Sequence, residues 1–425
     1  MKKTPLNDWH VGNGAVMAPF GEFTMPLWYP GGAKEEHCVV LTNAGIFDTN
    51  HMPPITVSGP QAFDLLQRCV TKDLSRIGRK KVPLYRGICT NGAFLNETGG
   101  VVDDTIVCLI DDDEYLVSIN ADMGPVVAEY LAGYRGALEA EIVDLSESVG
   151  KIDLQGPLSA EILWHCVREP EKVFDGMRFY RFKGHFNEKS LHADEVRFTD
   201  GTSVLLSRSG YTGEFGFELF MDRARVAAVW EMIMNAGESF ELKPCGLAAR
   251  DSLRAGAVLP LSHQDIGNWP FINNPWRYAL PYNDTESGFT KDFIGREAIE
   301  KVTDIEYTYP FVGYDPRKVS THDGVALVFD SEGDEIGTVL TCVSDMGIDR
   351  IGGRIYSLAS PDAPDGFVPR GLSCGFVKVK TKLSNGNLIA LKDSRRSLDV
   401  LITDSIRPDR SARRPIREMI PEYVE

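Results

Sequence analysis

The chain has 425 residues, 43% hydrophobic and 25% charged, the composition of a globular protein with material for two or three domains. A formal charge of −16, with no basic stripe carrying interleaved aromatics, excludes general attraction to nucleic acid or to anionic membrane. No apolar run approaches the ~18 residues of a membrane span, Met1 to Pro5 leads into no apolar signal core, and the eight cysteines are scattered without a C-x-x-C pair, so a reduced, cytoplasmic protein is expected.

Residues 1–50 read as loops mixed with short elements. Ile55 and Val57 alternate ahead of Ser58-Gly59-Pro60, a strand and its stop. Phe63, Leu65, Leu66 and Val70 recur at helical spacing over 61–71, strand-like runs follow at 101–110 and 115–119, and a helix is predicted over 124–134. Ile152-Asp153-Leu154-Gln155-Gly156-Pro157 then repeats the Ile55–Pro60 pattern, again leading into a helix-like segment. A β-then-α unit used twice predicts two related α+β halves. Strands at 203–208 and 215–220 and a helix over 223–236 complete the second half. Beyond Lys301 the character changes to short strands punctuated by glycine and proline, at 325–329, 336–343, 372–379, 388–391 and 398–402. They predict a small β-barrel or sandwich with its boundary near 305–312. Arg407, Arg410, Arg413, Arg414 and Arg417 read as a solvated tail, the alternative being a dock for an acidic partner or a ligand carboxylate.

Three segments carry chemistry. Gly99-Gly100-Val101-Val102-Asp103-Asp104 frees the backbone just before two carboxylates and enters an apolar, β-branched strand. Adjacent strand residues face opposite sides, so one aspartate at most points into a given pocket. Alone, the segment is also an ordinary acidic turn. Gly210-Tyr211-Thr212-Gly213-Glu214-Phe215-Gly216-Phe217-Glu218-Leu219 is the second, and Gly246-Leu247-Ala248-Ala249-Arg250-Asp251-Ser252-Leu253-Arg254 the third. Other chemistries lack their signatures: there is no G-x-x-x-x-G-K-[ST] loop and no H-E-x-x-H helix. Gly12-Asn13-Gly14 lacks a dinucleotide-site context, and Ser207 and Ser209 lack a G-x-S-x-G setting. His37, His51 and His263 read as hydrogen-bonded structural residues, and no metal is expected.

With Pro19-Phe20-Gly21, Met25 to Tyr29, Glu36-His37, Ala44 to Met52 and Lys291 to Glu297 added in order, the chain resembles the glycine-cleavage T-protein (aminomethyltransferase) superfamily of folate-dependent one-carbon transferases. The resemblance covers nearly the whole chain. It implies an α+β fold of two related α/β halves plus a C-terminal β-barrel, arranged as a compact three-domain ring. Residues 1–308 would form the folate-binding catalytic region of two α+β subdomains and 309–425 the barrel. It also implies tetrahydrofolate as cofactor. Glu218 matches the carboxylate that accepts the pterin's two parallel N–H donors as a fork, where the ordinary reading would be an exposed strand-edge glutamate. Asp104 matches the catalytic carboxylate, orienting the folate N5 and N10 region and stabilising developing positive charge. Asp103 would face away as a solvated or turn-binding residue. Asn120 matches a residue bonded near the ligand, and Arg250 a ligand-binding arginine that pairs with a folate oxygen or braces Glu218. Asp251 would serve Arg254 equally well. Tyr211 and Met52 would line the pocket, although a packed turn tyrosine and a gap-filling methionine are equally natural.

Departures bear on the one-carbon donor. After Leu259-Pro260-Leu261 the family pattern is Tyr/Gly-x-Asp, then Pro-x-Glu-x-Gly-Leu-x-Trp; here it reads Ser262-His263-Gln264-Asp265, then Pro270 to Tyr278. Asn273 replaces the glutamate and Tyr278 is the aromatic, so one counter-charge for a cationic aminomethyl group is gone. The aromatic usual near Asn91 is absent, and a stretch between about 168 and 201 is extra. The implied donor is an aminomethyl group on the lipoyl arm of an H-protein, giving 5,10-methylenetetrahydrofolate and ammonia. The alternative is a demethylase that takes a methyl from a sulfonium, quaternary amine or methoxy compound, with Trp269, Trp276 and Tyr278 as material for a cation cage. A non-catalytic folate-binding protein is a lesser alternative; the Lys-Gly-Cys-x-x-Gly-Gln-Glu signature of its iron–sulfur branch is missing.

Overall fold

The computed structural model describes residues 1–421 except Arg79, His322 and Asp323. The two predicted halves are two sheets. In the first, five antiparallel strands run in the order Cys89–Leu95, Val101–Asp111, Glu114–Ser118, Ile55–Ser58 and Glu141–Asp144. Helices Ala62–Cys69 and Gly124–Arg135 cover it, burying Leu65, Leu66, Val127 and Leu131 on Val57, Val107 and Val117. In the second sheet the order is Phe182–Lys183, Leu205–Ser207, Gly216–Asp222, Val149–Gln155, Gly45–Asp48 and Lys243–Cys245, only the last pairing being parallel. Helices Ser159–Trp164 and Val226–Ala236 cover it around Trp230, Phe174 and Phe217.

The repeated Gly-Pro stop has one physical cause in both halves. Gly59 and Gly156 end their strands at φ +115° and +125°. A Cβ there would come within 2.7 Å of the Glu139 carbonyl oxygen or 2.5 Å of that of Asn43, so only glycine lets the chain turn into the helix that follows. Gly45–Asp48, which precedes the first half in the chain, belongs to the second sheet, where it pairs with Val149–Gln155. The two halves are thereby threaded through each other.

The C-terminal prediction resolves to a closed barrel of six strands: Tyr307–Val312, Leu372–Val379, Glu335–Asp345, Leu327–Phe329, Leu388–Lys392 and Ser397–Ile402. Tyr307–Val312 has no counterpart among the predicted strands, because Pro310 interrupts its pattern; its carbonyl is still used, accepting from the Thr403 N–H at 3.1 Å. The arginine-rich segment is corrected at Arg407 and Arg410, while Arg413, Arg414 and Arg417 are exposed as the tail reading has it. Arg407 is fully buried, donating from Nε to Glu214 (3.1 Å) and from Nη1 to Asp345 (2.7 Å), and Arg410 reaches the Ala257 carbonyl. It ties the barrel to the second half. No described helix is long and apolar enough to cross a membrane, and the eight cysteines are free thiols, seven of them buried.

Candidate active site

The Asn96–Gly100 turn delivers the two aspartates. The Asn96 side chain accepts from the Thr98 and Gly100 N–H groups, both at 3.0 Å, and a Cβ on Gly99 would come within 2.5 Å of Ile299. From there Val101–Asp111 carries Asp103 opposite Phe94 and Asp104 opposite Ala93. Asn120, just past the neighbouring strand, joins them. Its Nδ2 donates to Asp103 Oδ1 at 2.8 Å and to Asp104 Oδ1 at 2.9 Å, and its backbone N–H to Asp103 Oδ2 at 3.0 Å. Ser262 Oγ adds a fourth donor, 3.1 Å from Asp103 Oδ1, and His263 Nε2 stands 4.0 Å from the same oxygen.

The expectation of a solvated Asp103 is overturned: it is fully buried, while Asp104 is half-buried. Its turn-binding role holds, through the Asn120 N–H. Burial, reinforced by the charge of Asp104, pushes the Asp103 carboxyl well above the usual carboxylate range against the donors of Asn120 and Ser262. Asp104 is raised too, chiefly by burial and opposed by its hydrogen bonds and His263. Two carboxylates around one amide hold one proton between them near neutrality.

Glu218 comes from the second sheet. On Gly216–Asp222 it lies opposite Asp153 of Val149–Gln155 and is 9% exposed. Lys151 Nζ, almost fully buried, bridges Glu218 Oε1 (2.5 Å) and Asp153 Oδ1 (3.0 Å). Arg250, from helix Leu247–Gly256, donates to Asp153 Oδ2 at 2.8 Å, and Thr49 Oγ1 to Asp153 Oδ1 at 3.0 Å. Two cations and two carboxylates thus cancel in a buried cluster. Burial opposes both charges, yet Asp153 is held below the usual carboxylate range by Lys151 and Arg250, and Lys151 above its ordinary value by Asp153 and Glu218. The structure corrects one expected role: Arg250 braces Asp153 rather than Glu218 directly. Its guanidinium lies 4.9 Å from the Tyr211 ring centre and 3.8 Å from Met52 Sδ.

Tyrosines join the two acidic centres. Tyr211 hydrogen-bonds the Pro260 carbonyl and feels both Asp104 and Arg250. Tyr278, on the Arg277–Ala279 turn, is 45% exposed yet raised above its ordinary range by surrounding protein and by Asp104, as befits a ring lining a recess. The structure therefore gathers Asp104, Asn120, Tyr211 and Tyr278 on one side and Glu218, Arg250 and Met52 on the other. Sequence reasoning missed Lys151, Asp153 and Tyr180. Lys151 and Asp153 flank Ile152 like solvent-facing residues, and only the match of two charges across two strands could have signalled them. Tyr180 lies in the extra 168–201 stretch at φ +62° and hydrogen-bonds Asn91, within reach of Tyr278 and Glu218. It brings an aromatic to the place where the family's own is absent.

Other expectations fall to structural roles. Asp251 and Asp265 both serve Arg254, and His37 is bonded to Ser252 (2.7 Å) and Asp345 (2.8 Å). His51 is different: it is buried with Nδ1 unpartnered among the described residues, and burial, with Arg250 and Lys151 adding, pulls it down to about 4. The proposed cation cage is not assembled. Trp276 is 1% exposed, packed on Phe376 with its indole N–H on the Val258 carbonyl, and Trp269 already has Lys378 Nζ 4.4 Å from its ring centre. Among the described residues no group of acidic, histidine and cysteine side chains could hold a metal.

Comparison with known proteins identifies the family. The GCVT N-terminal domain family matches residues 6–269. The aminomethyltransferase of Symbiobacterium thermophilum is 34% identical over 317 residues, 74% of this chain and 78% of that one. That of Natranaerobius thermophilus is 32% identical over 346 residues, 80% and 87% of the two chains. The crystal structure of glycine cleavage system aminomethyltransferase T from Bartonella henselae superposes with a TM-score of 0.72 at 25% identity, covering 94% of this chain and 96% of that one. The chain belongs to the GCVT family and is an enzyme, a one-carbon transferase.

Proposed function

We propose that the chain takes an aminomethyl carbon from the lipoyl arm of an H-protein and passes it to tetrahydrofolate, yielding 5,10-methylenetetrahydrofolate and ammonia in the cytoplasm. The observation that carries the reading is the charge-balanced cluster behind Glu218. A carboxylate whose Oε1 accepts from buried Lys151 keeps Oε2 and the second lone pair of Oε1 for a ligand. The donor set fits a reduced pterin, whose ring N–H and exocyclic amine match a carboxylate fork. The orphan His51 Nδ1 offers one more buried polar atom beside the same cluster.

When bound, tetrahydrofolate supplies the nucleophilic nitrogen that receives the carbon. Glu218 orients it, and Lys151, Asp153 and Arg250 hold Glu218 in one rotamer so that little ordering is left to the binding step. Tyr211, Tyr278 and Tyr180 wall the space and exclude water. Asp104, half-buried and fixed by Asn120, presents the negative charge that stabilises cationic character at the reacting carbon. Residues 1–308 as the catalytic region and 309–425 as the barrel are part of this reading, supported by the first barrel strand starting at Tyr307.

The test incubates pure protein and tetrahydrofolate with aminomethyl-loaded H-protein or, separately, with methylated sulfonium and quaternary amine compounds. Methylenetetrahydrofolate and ammonia from the first arm alone support the reading. Methyltetrahydrofolate from the second would replace it with the demethylase.

A further inference from the structure

The loop that closes over the aspartates is strained. Val258, His263 and Asn273 all sit at positive φ, +60°, +64° and +55°. Asparagine tolerates that region, but a β-branched valine there is an outlier and histidine is uncommon. A residue is kept in such a conformation only where its surroundings over-determine it. The backbone at His263 suits glycine, yet it carries an imidazole, half exposed on one side and facing the buried carboxylate pair on the other. Ser262, its neighbour, hydrogen-bonds Asp103. The groups around this imidazole are Asp103 at 4.0 Å, then Asp104 with its partners Asn120, Tyr211 and Tyr278.

We propose that His263 is a proton-relay residue, acting through Asp103 to exchange protons between the Asp103–Asp104 pair and solvent at the mouth of the site. The inference rests on the aminomethyl reading. Release of an amine breaks its bond to carbon, the electron pair stays on nitrogen, and that nitrogen needs a proton. The carbon is bonded instead by the acceptor nitrogen. The carboxylate pair is the immediate proton source, since one of its members is held neutral by burial. Asp103, the member that carries it, is fully buried and is not recharged directly by water. The His263 imidazolium returns the proton from Nε2, and the neutral ring is reprotonated by buffer acid. The 4.0 Å gap closes by a small ring rotation or one bridging water. The Ser262 hydroxyl can reverse, accepting from Asp103 when that carboxyl is protonated.

His263→Gly tests this without risking the fold, because glycine relieves the φ of +64°. Turnover with loaded H-protein should fall about 30–100-fold at neutral pH, with KM for tetrahydrofolate changed less than about threefold. Added imidazole should restore at least about fivefold of the loss in this variant and nothing in wild type. A second readout needs no folate. The carboxylic C=O band of the Asp103–Asp104 pair, followed by infrared spectroscopy after transfer into D2O, should take up deuterium at least about tenfold more slowly in His263→Gly than in wild type. Turnover within twofold of wild type, a loss that imidazole does not rescue, or an unchanged deuteration rate would each overturn the relay. If wild type itself moves no carbon from loaded H-protein, the aminomethyl reading fails, while the deuteration rate still decides whether His263 and the pair exchange protons.

Discussion

Glu218→Gln separates recognition from scaffolding. In the native cluster Glu218 Oε1 neutralises Lys151 at 2.5 Å, and Oε2 with the second lone pair of Oε1 is kept for ligand. Glutamine keeps the shape and one acceptor but turns an N–H₂ towards either Lys151 or the pterin, and both are donors. On the ligand side one charge-assisted bond is lost and a second becomes charge-neutral, costing about 2–4 kcal/mol, or ~30- to 1000-fold in affinity. On the protein side Lys151 retains Asp153 at 3.0 Å, but Asp153 already serves Arg250, so one buried positive charge is left in excess. That excess should destabilise the fold by about 1–3 kcal/mol, since a buried cation that loses one of two partners is only half compensated.

The assay is calorimetric titration of tetrahydrofolate into wild type and variant, alongside urea unfolding monitored by tryptophan fluorescence. Lys151→Met is the control. It removes the scaffold charge and leaves the Glu218 carboxylate, so it should lower stability more than Glu218→Gln while weakening folate less. A Glu218→Gln protein that binds within threefold of wild type and is otherwise folded would refute the fork. A variant in which affinity falls only in step with stability would refute the separation.

Asp104→Asn should fold and bind tetrahydrofolate within a few-fold, because Asn120 can still bond the amide oxygen, but lose about 100-fold or more in kcat; unchanged turnover removes Asp104 from the chemistry. Arg407→Ala should cost about 3–5 kcal/mol in urea unfolding, because Glu214 and Asp345 are left buried without their shared cation; a loss under 1 kcal/mol would mean that water reaches them. His51 is kept neutral in the fold, its pKa drawn from 6.5 down to about 4, whereas the unfolded chain takes up the proton near 6.5. Stability from this group is therefore complete above ~pH 6.5 and falls by up to about 3 kcal/mol as pH drops towards 4. His51→Gln should flatten that limb of the unfolding free energy against pH, and an unchanged slope would assign the acid sensitivity elsewhere.

Legibility followed whether a residue's partner lies near in the chain. Strands 101–111 and 372–379 and helix 124–135 show in the sequence because alternation and helical spacing are local, and Gly59 and Gly156 show because a positive φ beside backbone permits little else. Asp104, Asn120, Glu218 and Arg250 could be picked out only through ordered motifs. What closes the site could not be read in advance: Lys151 looks exposed until Glu218 arrives from a strand 67 positions away by number, and Arg407 reads as solvated tail until Glu214 and Asp345 surround it. Burial of a charge is a property of its partner, and one sequence does not name partners.

The same logic explains why Asp103 and Asp104 are not interchangeable although Asn120 bonds both. Asp103 is fully buried, with Asn120 twice, Ser262 and, at 4.0 Å, His263 around it. Its charge therefore has nowhere to spread, and neutralisation relieves burial. Asp104 shares the Asn120 side chain and the Ser262 hydroxyl with Asp103, but it is half-buried and meets Tyr211 and Tyr278 across the open side. One proton placed on Asp103 leaves the negative charge on the carboxylate that faces the reacting carbon. Substitution of Asp103 by asparagine keeps that division of charge, although its amide N–H₂ now meets the donors of Asn120 and Ser262; substitution of Asp104 forces the charge back onto Asp103, away from the carbon. Asp103→Asn should therefore lose no more than the relay through it supplies, about 30–100-fold, and Asp104→Asn at least about tenfold more than that. Equal losses in the two variants, measured at matched stability, would show that the pair acts as one diffuse charge and that the assignment to Asp104 is wrong.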